Sequence, residues 1–215
     1  MSYTITGVLL DMDGLLLDTE RLQMEVGPDI VAQFGHSLPL EFFRQLVGVA
    51  RLDAARIISN EVGETIDHSA LDQAWDEAMD RRMKSGVPLR PGVAALFDAL
   101  DRLGLPRAVA TNSMTARAEW KLEHASLLHW VDAVVGVDQV ELGKPAPDVY
   151  LKAAELIGQP PAACAAFDDS DLGVRAALEA GVGVVFQIPD LAQSKDSRAH
   201  HEVHSLDDAR AVLGM

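Results

Sequence analysis

The sequence predicts an α/β protein, a doubly wound and mostly parallel sheet into which an all-helical segment is inserted. Three observations carry this. From Arg90 onward, short apolar strand-like runs alternate with helical stretches; the apolar run near the N-terminus breaks off in Asp11-Met12-Asp13-Gly14; and between Leu17 and Gly86 four helical patterns follow one another with no strand between them. Alternation of strand and helix is what a parallel sheet requires, because each crossover to a parallel neighbour must pass over a face of the sheet.

Taken in order, Ile5 to Leu10 is a near-continuous apolar run, the pattern of a strand buried on both faces. The spans Glu20 to Phe34, Leu40 to Val47, Leu52 to Val62 and Ser69 to Lys84 then carry apolar residues at three- and four-residue steps. Gly35, Gly48, Gly63 and Gly86 stand where those helices should stop. Val93 to Leu103 predicts a helix ending at Gly104, Arg107 to Ala110 a strand, Thr115 to Leu127 a helix and Ala133 to Val137 a strand. Asp148 to Ile157 reads as a helix closed by Gly158, Cys164 to Phe167 as a strand, Leu172 to Ala180 as a helix closed by Gly181, and Val182 to Phe186 as a strand. Residues 1–15 and 88–215 are thus expected to form the core, and 16–87 a helical insert.

A chain of 215 residues that is 48% hydrophobic can bury one main core and a smaller insertion. Its net charge of -15 excludes nucleic acid and an anionic membrane as expected partners, since both demand a basic face. The single cysteine, Cys164, cannot form an internal disulfide and reads as a small buried hydrophobe. No basic stretch with a long apolar segment precedes the first strand, and no apolar run reaches the roughly eighteen residues of a membrane span. The pattern predicts a soluble, cytoplasmic protein acting on a small molecule, as a monomer with a dimer left open.

The chemistry is expected at the carboxyl ends of the strands, where open α/β sheets collect ligands. In an extended segment Asp11 and Asp13 project to the same side while Met12 turns into packing. Two carboxylates that close repel, and a divalent cation lets both stay ionised. Gly14 allows a sharp turn that brings a backbone N–H toward an anion. Thr111-Asn112-Ser113 suits phosphate oxygens, and it equally suits an ordinary helix N-cap. Lys144, between Gly143 and Pro145, is either a solvated lysine or a fixed charge that neutralises phosphate. Asp168-Asp169-Ser170-Asp171 caps the next helix, and together with Asp11 and Asp13 it supplies oxygen ligands for a hard cation such as Mg²⁺.

In order and spacing, these four segments resemble the motifs of the haloacid dehalogenase (HAD) superfamily, and the resemblance covers the whole chain. It implies a Rossmann-like core. The insert resembles the helical cap of the subfamily that contains β-phosphoglucomutase, phosphoglycolate phosphatase and sugar-phosphate phosphatases. By this resemblance Asp11 is the nucleophile that forms an aspartyl-phosphate, and Asp13 is the general acid and then base. Thr111 and Lys144 bind the transferring phosphoryl group, with Asn112 and the backbone near Gly14 assisting. Mg²⁺ is held by Asp11, the Asp13 carbonyl and Asp169. Relatives more often carry Glu at the position of Asp168, so Asp168 ranks below Asp169 as a ligand. The family's dehalogenases lack the second aspartate, so Asp13 points to phosphate chemistry.

Substrate recognition is expected in the insert. Gly48-Val49-Ala50-Arg51 resembles a cap segment that offers an arginine to a distal polar group, which makes Arg51 a candidate contact, with a plain surface arginine as the alternative. Glu20 is a second candidate, although Thr19 as an N-cap accounts for Asp18-Thr19-Glu20 as well. Gln23 stands where the mutases carry histidine, and an amide cannot move a proton as imidazole does. The sequence therefore favours an Mg²⁺-dependent phosphatase of small phosphomonoesters over a β-phosphoglucomutase-like isomerase or a non-catalytic binding relative. His200, His201 and His204 read as solvated residues rather than a metal site, and Trp75, Trp120 and Trp130 as packing.

Overall fold

The computed structural model describes residues 3–47, 49, 51–191 and 197–215. Gly48, expected as a helix stop, and Ala50, in the segment leading to Arg51, lie outside the described residues. Strand β1 (Gly7–Leu10) is followed by helix α1 (Thr19–Gln33), a 3-10 turn (Leu40–Leu46), α2 (Arg51–Val62) and α3 (His68–Met83). The chain then alternates through α4 (Val93–Leu103), β2 (Arg107–Ala110), α5 (Thr115–His124), β3 (Ala133–Val135) and α6 (Asp148–Leu156). It closes with β4 (Cys164–Asp168), α7 (Asp171–Glu179), β5 (Val184–Gln187), β6 (His201–Glu202) and α8 (Leu206–Leu213).

The sheet order is β3-β2-β1-β4-β5-β6, and every adjacent pair is parallel. Period-two alternation along the strands divides their side chains between two faces. Leu9, Ala108, Ala110, Ala166 and Val185 share one core cluster with Val149 and Ala153 of α6 and Val174 and Ala177 of α7. The many alanines let these helices approach the sheet closely. Helices α4 and α8 pack on each other, and Leu96, Phe97 and Leu100 of α4 are fully buried.

Two compact units emerge, one of Met1–Asp18 with Val87–Met215 and one of Thr19–Gly86. Residues 15–18 stay with the first because Leu15, Leu16 and Leu17 are buried and the segment pairs with the returning chain. The Asp18 N–H donates to the Pro88 carbonyl at 2.9 Å, the Arg90 N–H donates to the Leu16 carbonyl at 3.0 Å, and Arg90 is ion-paired to Asp190. Within the second unit α1 packs on α3, and the Phe43 ring lies against Gly27, where a Cβ would come within 2.4 Å of it.

Some elements differ from the sequence pattern. Leu40–Leu46 is a 3-10 turn rather than an α-helix. Helix α5 stops at His124, because Ser126 adopts a left-handed φ of 57°. Strand β3 ends at Val135: Gly136 passes so close to the start of α5 that a Cβ there would lie 2.3 Å from the Thr115 nitrogen. Helix α8 has no counterpart in the sequence reading, although Ser205 caps it by accepting from the Asp208 N–H and Gly214 closes it. Of the three C-terminal histidines, His200 and His201 make structural contacts, the Val185 N–H donating to His200 Nδ1 and the His201 ring stacking on Phe186, while His204 is exposed as expected.

Candidate active site

Strand β1 has β2 on one side and β4 on the other, with Leu10 in register with Val109 and Phe167. Asp11 and Thr111, just past their strands, and Asp168, the last residue of β4, therefore emerge at one edge, at the switch point where the chain changes its direction of winding. They open onto a cleft of about 330 Å³ lined by Asp11, Asp13, Thr111, Asn112, Ser113, Lys144, Asp169, Ser170 and Leu172. The structure thus brings together the polar strand ends named from the sequence.

At the floor of the cleft lies a buried ionic cluster. Asp11, Lys144 and Asp168 are 7%, 8% and 0% exposed. Lys144 Nζ donates to Asp11 Oδ1 in a short contact and to Asp168 Oδ2 at 2.8 Å. Burial lifts the Asp11 carboxyl to about 7, with Lys144 pulling the other way and Asp168 and Asp13 adding to the rise. Burial opposes the charge on Lys144, yet the Asp11 and Asp168 carboxylates outweigh it and hold the ammonium above its ordinary value. Lys144 is a fixed charge, not a solvated side chain.

Several residues have roles that differ from expectation. Asn112 lines the cleft but its amide also serves the protein: its Oδ1 accepts from the Lys144 N–H at 2.7 Å, and its Nδ2 donates to the Lys144 carbonyl at 3.1 Å. It clamps the main chain that carries the lysine. Gly14 does not offer its N–H to an anion, since that group donates to the Leu17 carbonyl at 2.9 Å. Glycine is needed there because φ is +88° and a Cβ would fall 2.3 Å from Asp169 Oδ2. Arg51 forms a two-point pair with Asp76 at 3.1 and 2.6 Å. Arg51, Glu20 and the exposed Gln23 all belong to the helical unit, with Glu20 in the first turn of α1.

Two functional residues escaped the sequence reading. The Tyr150 hydroxyl donates to Asp168 Oδ2 at 2.6 Å, and its ring faces Lys144 Nζ at 4.9 Å from the centroid. Burial, then Asp168 and Asp11, push its phenol well above the ordinary value, so it remains a donor. Lys121 Nζ donates to both oxygens of Asp13, at 2.9 and 2.7 Å. A signal existed for Lys121, which lies on α5 beside the buried stripe of Ala118 and Leu122. Tyr150, fully buried at the start of α6, reads as core from its apolar surroundings.

The donor set fits a hard divalent cation. Asp11, Asp168 and Asp169 each place one carboxylate oxygen so that all three lie within 4.8 Å of one another. Asp11 and Asp168 share the Lys144 ammonium and Asp169 opens onto the same cleft, so carboxylate oxygens gather where a divalent ion would neutralise them. Within the cluster, Asp168 is already filled by the protein: besides Lys144 and Tyr150 it accepts from the Ser170 N–H at 2.9 Å and from Ser170 Oγ at 2.8 Å.

A model of the haloacid dehalogenase-like hydrolase family matches residues 5–181. Fructose-1-phosphate phosphatase YqaB of Escherichia coli is 34% identical over 179 residues, 83% of this chain and 94% of the relative. (DL)-glycerol-3-phosphatase 2 of Arabidopsis thaliana is 35% identical over 194 residues, 87% of this chain and 80% of the relative. A crystal structure of a HAD family hydrolase from Deinococcus radiodurans R1, with bound phosphate and sodium, is 26% identical with a TM-score of 0.82, over 99% of this chain and 96% of that one. The chain belongs to the haloacid dehalogenase-like hydrolase family and, like these relatives, is a phosphoric monoester hydrolase.

Proposed function

We propose that the protein hydrolyses small phosphomonoesters, sugar phosphates or compounds like them, through an aspartyl-phosphate on Asp11. The observation that carries this reading is the buried Asp11–Lys144 pair at the cleft floor, with Asp13 two residues further along the chain at the same mouth. Asp11 attacks phosphorus while Asp13 protonates the leaving oxygen. Water then attacks the aspartyl-phosphate, Asp13 takes its proton, and Asp11 is released with inorganic phosphate. Lys144 and the Thr111 hydroxyl stabilise the transferring group, whose charge an anionic nucleophile would otherwise repel. Asp11, Asp169 and the Asp13 main-chain carbonyl would hold Mg²⁺, which when bound neutralises charge and orients the phosphate.

The helical unit, read as a cap, is the place to select the organic part of the substrate. Glu20 is a candidate contact there, and Arg51 becomes one only by releasing Asp76. The names of the relatives, fructose-1-phosphate and glycerol-3-phosphatases, support small polyol and sugar phosphates as the class. Phosphate release measured over such a panel should require Mg²⁺, and activity unchanged after thorough chelation would refute the reading. Because Gln23 supplies no imidazole, β-glucose 1-phosphate with a trace of its bisphosphate should give phosphate or no reaction. Efficient conversion to glucose 6-phosphate without phosphate release would make the protein an isomerase.

A further inference from the structure

We infer that Lys121, with Ser113, is the positioning residue that holds Asp13 in the orientation proton transfer requires, an inference that rests on the acid–base role proposed for Asp13. The Asp13 side chain is one-third exposed at the mouth of the cleft, and a carboxylate turns easily about its last torsion. Here it cannot turn freely. Lys121 Nζ bridges Oδ1 and Oδ2 at 2.9 and 2.7 Å, which fixes the plane of the carboxylate. Ser113 Oγ adds a third bond, donating to Oδ2 at 3.1 Å, and Lys121 Nζ approaches that hydroxyl at 3.5 Å.

The holding groups are themselves anchored. Lys121 is 13% exposed and extends from α5, whose Ala118 and Leu122 are fully buried. Ser113 donates its N–H to Thr111 Oγ1 at 3.1 Å, which ties the clamp to the residue assigned to the phosphoryl group. The acid–base carboxylate is thus held by Ser113, which sits on the same turn between β2 and α5 as the phosphate-binding Thr111 hydroxyl. In the first chemical step, a bond forms from Asp11 to phosphorus, the bond from phosphorus to the leaving oxygen breaks, and the Asp13 proton passes to that oxygen. In the second, water attacks phosphorus, its proton passes to Asp13, and the Asp11–phosphorus bond breaks. Both transfers need an Asp13 oxygen in line with the reacting oxygen, and misplacement by about 1 Å costs on the order of 10² in rate.

The test compares kcat/KM, which reports the first step, for an alkyl monoester and for p-nitrophenyl phosphate, whose leaving group departs without a proton. Lys121→Met and Lys121→Gln should each lower the alkyl value by on the order of 10² and the aryl value by less than about tenfold. Lys121→Arg should restore the alkyl value to within about tenfold of the parent, because a guanidinium can also bridge two carboxylate oxygens. Asp13→Asn is the control and should show the same dependence on leaving group. If Asp13→Asn shows it and both uncharged Lys121 variants lose the two activities equally, or lose neither, the inference is overturned while the role of Asp13 stands. If Asp13→Asn itself shows no such dependence, the role of Asp13 fails and the inference fails with it.

Discussion

Gly173→Ala tests the packing on which the ionic cluster depends. Gly173 lies in the first turn of α7, directly against the Asp168 carboxylate. A methyl group there would sit 1.8 Å from Oδ2, 2.0 Å from Cγ and 2.2 Å from Oδ1, where ordinary contacts begin at 3.4 Å. Asp168 must therefore move by more than about 1 Å, out of reach of Lys144, Tyr150 and Ser170. Breaking a buried charge pair costs about 3–5 kcal/mol, and alanine in place of glycine in a helix returns about 1 kcal/mol. The net loss of about 2–4 kcal/mol corresponds to a fall in Tm of about 4–16 °C for a chain of this size. With Lys144 no longer held from below, phosphate release should fall by on the order of 10². Thermal melting by circular dichroism and a phosphate-release assay read both effects. A variant that melts at or above the parent temperature with normal activity would refute the argument.

Asp11→Asn should abolish turnover and leave the circular dichroism spectrum unchanged, since an amide cannot attack phosphorus; near-normal turnover in protein shown by mass spectrometry to be free of deamidation would refute its role as nucleophile. Lys144→Ala should lower kcat by on the order of 10² or more and also reduce stability, because Asp11 and Asp168 lose a shared buried partner; a loss below about threefold would make the lysine dispensable. Burial pushes the Cys164 thiol up to about 11, so at about pH 8 it is protonated as well as enclosed. A disulfide reagent should therefore label Cys164 only as the protein unfolds, and rapid labelling of the native state would contradict its position in β4.

What was legible in the sequence was local. The strand ends at Asp11, Thr111 and Asp168 announce themselves through an apolar run that breaks off in polar residues, and the parallel register then brings them to one edge. The roles assigned to Gly14 and Asn112 were not legible in the same way. Each has the conformation or chemistry for binding an anion, but their functional groups are engaged by Leu17 and Lys144, the latter 32 residues away from Asn112. Arg51 likewise meets Asp76, a partner 25 residues distant that no helical spacing reveals. Lys121 and Tyr150 were missed because a lysine on a helix usually reaches solvent and a buried tyrosine usually fills space. Only the tertiary fold shows which carboxylates they meet.

The clamp between Asn112 and Lys144 also bears on how the protein ages. An asparagine side chain is chemically labile, and Asn112 is exposed and followed by serine. Deamidation would leave Oδ1 in place to accept from the Lys144 N–H, but would replace the Nδ2 donor by an oxygen facing the Lys144 carbonyl. One bond of the clamp would become a repulsion, and the loop carrying the lysine would lose its hold while every catalytic side chain remained intact. Stored protein could thus lose activity with its fold unchanged, and the lesion would lie in the support of the lysine rather than in the lysine itself.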